Sequence, residues 1–244
     1  MRVLVLRRHD RFSEILEKSG LTAVNVELIR TEPLPDQTEL RNALSGLVRY
    51  DGFFVTSPAA AKIVVDCLKH LDCEHTGMIY VLGERSRRIL EDAGINVEYC
   101  ASADTAKELI TEFGEAEFAG KRFCFVRGNR SMLTIPHLLK NIAQVDEIIV
   151  YRTLETVPDK KAAAEIKAAL EDGRFDWACY FSPSAVDAFE RIFGRQNAAR
   201  VKAAVIGETT AERAREVGFD VAFVSPRSNA ESFAESFVQL LNKN

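Results

Sequence analysis

The chain has 244 residues and a formal net charge of −4, with 47% apolar and 28% charged residues. This is the composition of a soluble globular protein, and its acidic balance gives no support to nonspecific binding of nucleic acid or of an anionic membrane. The longest apolar runs, such as Val3 to Leu6, are strand-sized and far below the roughly 20 residues that span a bilayer. Neither nucleic acid nor a membrane is expected as a partner.

The N-terminus opens directly on a strand pattern, with no signal peptide in view. Cys67, Cys73, Cys100, Cys124 and Cys179 are scattered without a C-x-x-C pair, which predicts unpaired thiols and a cytoplasmic location. His9, His70, His75 and His137 show no metal-ligand spacing, and no metal is expected.

Short apolar runs alternate with helical patterns throughout, as in parallel α/β units. Strands are predicted at 2–7, 23–31, 51–56, 78–82, 96–100, 121–126, 145–155, 176–181, 202–206 and 220–224, with helices between them. Gly20, Gly94 and Gly218 follow helical runs, where a residue able to take positive φ ends a helix at little cost.

Much of the pattern occurs twice. Asp51 to Pro58 (D-G-F-F-V-T-S-P) is echoed by Asp176 to Pro183 (D-W-A-C-Y-F-S-P), and Leu82-Gly83-Glu84 by Ile206-Gly207-Glu208. Arg2 to Arg7 matches Arg122 to Arg127, and Arg30-Thr31 matches Arg152-Thr153. Such an echo predicts two similar open parallel-sheet domains of flavodoxin-like α/β type, with a functional site between them.

Between Asp51 and Arg127 the first copy holds four strands, whereas 176–224 holds three, so the N-terminal strand must supply the fourth. The expected domains are therefore 1–33 plus 155–244, discontinuous, and 34–154, inserted. Crossing segments near 26–35 and 148–158 would pair as a short antiparallel ribbon. A monomer is expected, since the duplication already supplies paired domains.

Thr56-Ser57-Pro58 and Ser182-Pro183-Ser184 each end a strand and open a helix, where ligands bind in open α/β sheets. The hydroxyl caps the helix, and leftover backbone N–H groups can receive an anion. The same residues are also simply good helix caps. Gly83 with Ser86, and Gly207 with Thr209 and Thr210, occupy the corresponding places one unit later. Arg7, Arg127 and Arg130 end equivalent strands and could form a positive site, although arginines at strand ends are as often solvated. Tyr151, on the second crossing segment, stands where the other copy has Ile29, and an interface tyrosine is a competing explanation. No G-x-G-x-x-G, P-loop or H-E-x-x-H is present, so no dinucleotide, nucleotide or zinc chemistry is indicated.

The ordered set F-V-T-S-P at 54–58, L-G at 82–83, V-R-G-N-R at 126–130, V-Y-R-T at 150–153, F-S-P-S-A-V at 181–186 and A-V-I-G-E-T-T-A at 204–211 resembles the uroporphyrinogen-III synthase family. The resemblance spans essentially the whole chain. It implies a cofactor-free cyclisation of hydroxymethylbilane, a linear tetrapyrrole, with loss of water and inversion of ring D through a spiro intermediate, in haem and sirohaem biosynthesis. It implies that Tyr151 helps the terminal hydroxyl to leave and places Ser86, Ser182, Ser184 and Thr210 in the cleft; the strand-end residues Thr56, Ser57, Gly83, Gly207 and Thr209 and the arginines Arg7, Arg127 and Arg130 are then expected to receive a substrate with eight carboxylates. A transient contact with the upstream bilane-producing enzyme would be in keeping with it. Two alternatives stay open: a two-domain small-anion-binding module without catalysis, and a regulatory domain detached from a larger enzyme.

Overall fold

In a computed structural model of the chain, residues 1–71 and 77–242 are described; Cys73 and His75 lie outside them. These residues pack into two compact units, 1–30 with 154 onwards, and 31–153.

The elements alternate along the chain. They run β1 (Arg2–Val5), α1 (Arg11–Lys18), β2 (Thr22–Asn25), β3 (Ile29–Pro33), α2 (Thr38–Leu44), β4 (Gly52–Val55), α3 (Pro58–Leu68), β5 (Met78–Val81) and α4 (Glu84–Glu91). They continue as β6 (Glu98–Tyr99), α5 (Ala106–Phe113), α6 (Glu115–Phe118), β7 (Arg122–Gly128), α7 (Thr134–Leu139) and β8 (Gln144–Glu155). The last are α8 (Lys160–Glu171), β9 (Trp177–Tyr180), α9 (Pro183–Phe193), α10 (Arg195–Ala198), β10 (Lys202–Val205), α11 (Glu208–Glu216), β11 (Val221–Val224) and α12 (Ala230–Leu241).

The strand order is β11-β10-β9-β1-β2 in one sheet and β3-β8-β7-β4-β5-β6 in the other. Read from the opposite edge, the second sheet repeats the first: β6, β5, β4, β7 and β8 stand where β11, β10, β9, β1 and β2 do. The N-terminal strand thus occupies the place of β7. Pairing from β2 across to β11 and from β8 across to β6 is parallel.

The strand expected at 23–31 is in fact two. Its first part pairs with β1, whereas Ile29–Pro33 joins the other sheet beside β8. One straight strand cannot hydrogen-bond into both sheets, so the chain leaves the first after Val26 donates to the Val5 carbonyl at 2.9 Å. The Leu34 amide then donates to the Val150 carbonyl at 2.9 Å.

Both faces of each sheet are covered, which is why β4 and β9 are buried at every position and read as continuous apolar runs. Alternation assigns the faces. Leu4, Ala178 and Tyr180 enter one core of their unit, while Val3, Val5, Trp177 and Cys179 enter the other. In the second unit Phe53, Val55, Cys124 and Val126 face one way, and Phe54, Phe123 and Phe125 the other. The Phe54 ring lies 5.4, 5.7 and 5.2 Å from those of Tyr80, Phe118 and Phe123.

The repeated aspartate and arginine have a structural purpose. Asp176 accepts the Arg2 amide on its carboxylate at 2.7 Å and returns its own amide to the Arg2 carbonyl at 3.0 Å. Asp51 and Arg122 make the same pair of bonds, both at 2.8 Å. Even the stacking repeats: the guanidinium of Arg2 sits 5.2 Å from the Phe175 ring, that of Arg122 5.0 Å from Tyr50. These clamps join the central strands at their amino ends.

Phe54→Ala is expected to cost about 3–5 kcal/mol, as for a fully buried aromatic, and Asp176→Ala about 1–2 kcal/mol, as for a charge-assisted bond in partial solvent; denaturant unfolding measures both. Burial above all, with the negative surroundings and the bond to Asp146, pushes the Tyr50 hydroxyl up from 10.0 to about 12. Above pH 10 the unfolded chain therefore loses this proton while the folded chain keeps it, and stability falls from pH 10 towards 12. Tyr50→Phe should make that fall shallower in thermal melts.

Candidate active site

In a parallel sheet the next helix starts after each strand's carboxyl end, and its first N–H groups have no partner within the helix. The residues singled out by motif collect at these ends in each unit.

In the unit of residues 31–153, Thr56 and Ser57 follow β4, Gly83 and Ser86 follow β5, and Arg127 and Arg130 stand at the end of β7. Ser57 caps α3, its Oγ accepting from the Ala60 amide at 3.2 Å, with Pro58 in the first turn. Gly83 takes φ of 85° to enter α4, a region that other residues reach only with strain.

Tyr151 reaches the same end from β8. Its hydroxyl donates to Ser57 Oγ at 3.2 Å across 94 positions of sequence, and its residue is 8% exposed. Two features place it there. The pairing of β7 and β8 shifts register between Arg127 and Gly128, so that Gly128 lies opposite Tyr151 rather than Val150. Tyr151 therefore packs in the same core cluster as Ile148 and Val150, where strict alternation would have turned it away. Gly128 also has no side chain to obstruct the ring: a Cβ there would meet Tyr151 Cε2 at 2.3 Å and Oη at 2.8 Å.

The turn that follows is tied to β8. The Asn129 amide donates to the Tyr151 carbonyl at 3.1 Å, and Asn129 Oδ1 accepts the Thr153 amide at 2.8 Å. Ser131 Oγ accepts the Gly128 amide at 3.0 Å. The arginines of V-R-G-N-R stand out in the sequence, but it is Gly128, Asn129 and Ser131 that fit this strand end to Tyr151 and β8; the glycine at a strand end is their one signal in the sequence.

In the other unit Ser182 mirrors Ser57, capping α9 with Oγ accepting from the Ala185 amide at 3.2 Å and Pro183 in the first turn. Ser184 is half-buried in that turn, Thr209 is exposed, and Gly207 is packed so closely that a Cβ would approach Ser228 Oγ to 2.6 Å. Arg7 follows β1, where it pairs with Asp10 at 2.6 Å and lies over the Phe181 ring.

Several expectations change. Arg127 is not an open anion receptor: its side chain is 13% exposed, pairs with Glu147 at 2.5 Å and donates to the Gly128 carbonyl at 2.8 Å. It braces the strand end that carries Tyr151. Arg7 is likewise engaged, by Asp10 at the start of α1. Ser86 and Thr210 occupy matching places in the first turns of α4 and α11 but are only 1% and 3% exposed, so they contribute to packing at the helix starts. Glu84 is held down to about 2, chiefly by its hydrogen bond from Arg87 and then by that from Arg88, and belongs to a surface ion network.

Among the described residues no group of three acidic, histidine or cysteine side chains is placed to hold a metal, and no helix is long and apolar enough to cross a membrane. A recess of about 310 Å³ opens at the opposite end of β7, beside Lys121, Arg122 and Lys140. Two of these cations are already paired, with Glu117 and Asp146.

Comparison with known proteins agrees with the motif order. Residues 10–235 match the family model described as uroporphyrinogen-III synthase HemD. A uroporphyrinogen-III synthase of Chlorobaculum parvum is 28% identical, covering 98% of each chain, and one of Schizosaccharomyces pombe is 25% identical, covering 96% of this chain and 94% of its own. The crystal structure of a mutant uroporphyrinogen III synthase from Thermus thermophilus shares the fold with a TM-score of 0.68 over all of both chains at 21% identity. That of a uroporphyrinogen-III synthetase from Helicobacter pylori does so at 0.65, with 16% identity over 98% of this chain and all of that one. With its motifs in order and a family match across nearly its whole length, the chain belongs to the uroporphyrinogen-III synthase family.

Proposed function

We propose that the family's reaction runs, in this chain, at the carboxyl ends of the two sheets, with Tyr151 as the acid for the departing hydroxyl. The chain is a uroporphyrinogen-III synthase, a hydro-lyase that closes hydroxymethylbilane to uroporphyrinogen III with loss of water and inversion of ring D. The single observation that carries the residue assignment is the Tyr151–Ser57 bond. A phenol O–H is held at the strand ends, next to a helix start and among the residues of the family motifs.

Loss of the hydroxyl as water leaves an electron-poor azafulvenium, which ring D attacks through its already substituted carbon. The resulting spiro intermediate fragments and recloses inverted. Free bilane closes without inversion, so the protein's task is to favour one conformation and one attack position. Anchoring the eight carboxylates serves that task. The helix starts after Ser57, Gly83, Ser182 and Gly207 offer N–H groups and the positive end of the helix dipole. Thr56, Ser184 and Thr209 add hydroxyls nearby, and Arg130 adds an exposed cation. The reading also includes a transient hand-over from the bilane-producing enzyme and a cytoplasmic setting. The latter is supported by the free thiols of Cys67, Cys100, Cys124 and Cys179.

Freshly generated hydroxymethylbilane, followed by separation of the product isomers, tests the reaction. Isomer III is expected; isomer I alone would overturn it. Tyr151→Phe is expected to slow turnover by about 10-fold or more, in the range of general acid assistance, with the fold intact by circular dichroism. Turnover equal to that of the native chain would remove Tyr151 from the mechanism.

A further inference from the structure

Resting on the assignment of Tyr151 above, we propose that the phenol does not reach the departing hydroxyl directly but delivers its proton through Ser57, in a two-hydroxyl relay. Tyr151 is 8% exposed and packed in a core cluster, whereas Ser57, which accepts its hydrogen bond, is half-buried at the strand end. Ser57 Oγ already accepts twice, from the Ala60 amide and from the Tyr151 hydroxyl, each at 3.2 Å. A serine hydroxyl has two acceptor positions and one proton to give. With both acceptor positions occupied, the Ser57 proton is the one the pair can offer outward.

The step balances. The carbon–oxygen bond of the terminal hydroxymethyl group breaks with its electron pair going to oxygen, which takes the Ser57 proton and leaves as water. Ser57 takes the Tyr151 proton, leaving a phenolate beside the positive end of α3. The pyrrole that lost the hydroxyl becomes the azafulvenium. The proton released when the closed ring regains aromaticity returns along the same path, so nothing is consumed.

The space for this arrangement is made by Gly128, because any Cβ there would occupy the position of the ring end. Gly128 is therefore a positioning residue acting through Tyr151.

Single-turnover and steady-state rates with hydroxymethylbilane test the relay in Ser57→Ala, Ser57→Thr, Ser57→Asn, Tyr151→Phe and the Ser57→Ala/Tyr151→Phe double variant. Ser57→Ala is expected to lower kcat by about 10-fold or more with KM little changed, and Ser57→Thr to restore most of it. Ser57→Asn keeps an oxygen that caps α3 but cannot relay a proton, so it should fold and stay slow. Residues acting as one unit are not additive, so the double variant should be no slower than the slower single one. Gly128→Ala should slow the native chain and add nothing to Tyr151→Phe.

Native kcat in Ser57→Ala alongside a slow Tyr151→Phe would overturn the relay and leave the phenol as a direct donor. Native rates in Ser57→Asn would reduce Ser57 to a cap, and multiplied losses in the double variant would make the two groups independent. Native turnover in Tyr151→Phe would instead fail the underlying assignment. If Ser57→Ala does not fold, the Asn and Thr variants carry the comparison.

Discussion

The structure depends on the pairing of β1 with β9, strands 174 positions apart at the Arg2–Asp176 clamp. Without it the unit of residues 1–30 and 154 onwards has no central strand, since β1 stands between β2 and β9. Loop closure over such a distance grows only logarithmically in cost, so a whole second unit can be carried between the two strands. That unit has the same centre made locally: Asp51 clamps Arg122, and β4 lies beside β7. One motif, an aspartate before one strand and an arginine opening its neighbour, thus secures both sheets, and its amino-end position leaves the carboxyl ends to other work.

What those ends offer follows from burial. Helices cover both faces of each sheet, so the strands are filled with Val, Phe, Leu and Ala, and polar groups collect where strands stop. Ser57 and Ser182 are helix caps first, with the same 3.2 Å bond to the amide three residues on. Only Ser57 also receives a tyrosine. The repeat is thus closely kept in backbone and cap, and differs where the β7–β8 register shifts and Gly128 admits the Tyr151 ring. Arg127, bound to Glu147 and to the Gly128 carbonyl, holds that strand end rather than offering its charge outward.

Strand positions and helix caps were legible in the chain because each rests on local rules. Apolar runs of four to six residues, Ser-Pro at a helix start and glycine past its end act over one or two turns. The repeat extended this to domain membership, since matching offsets made Arg2–Arg7 the counterpart of Arg122–Arg127 and gave the N-terminal strand to the unit that contains Asp176; which strand it lies beside came from the structure. The break at 26–28 was not legible, because Val24 to Ile29 is continuous in pattern and only competition between two sheets divides it.

The candidate site divides along the same line. Sequence alone determined which residues gather at strand ends, because the end of a strand is a local event. Tertiary structure decided what they do there. Whether Ser86 and Thr210 face water or the core, whether Arg127 is taken by Glu147, and whether Tyr151 meets Ser57 depend on distances between strands and helices remote in sequence. A one-residue shift of register settles the last of these, and no local pattern encodes it: alternation alone would have sent the Tyr151 ring to the opposite face of its sheet.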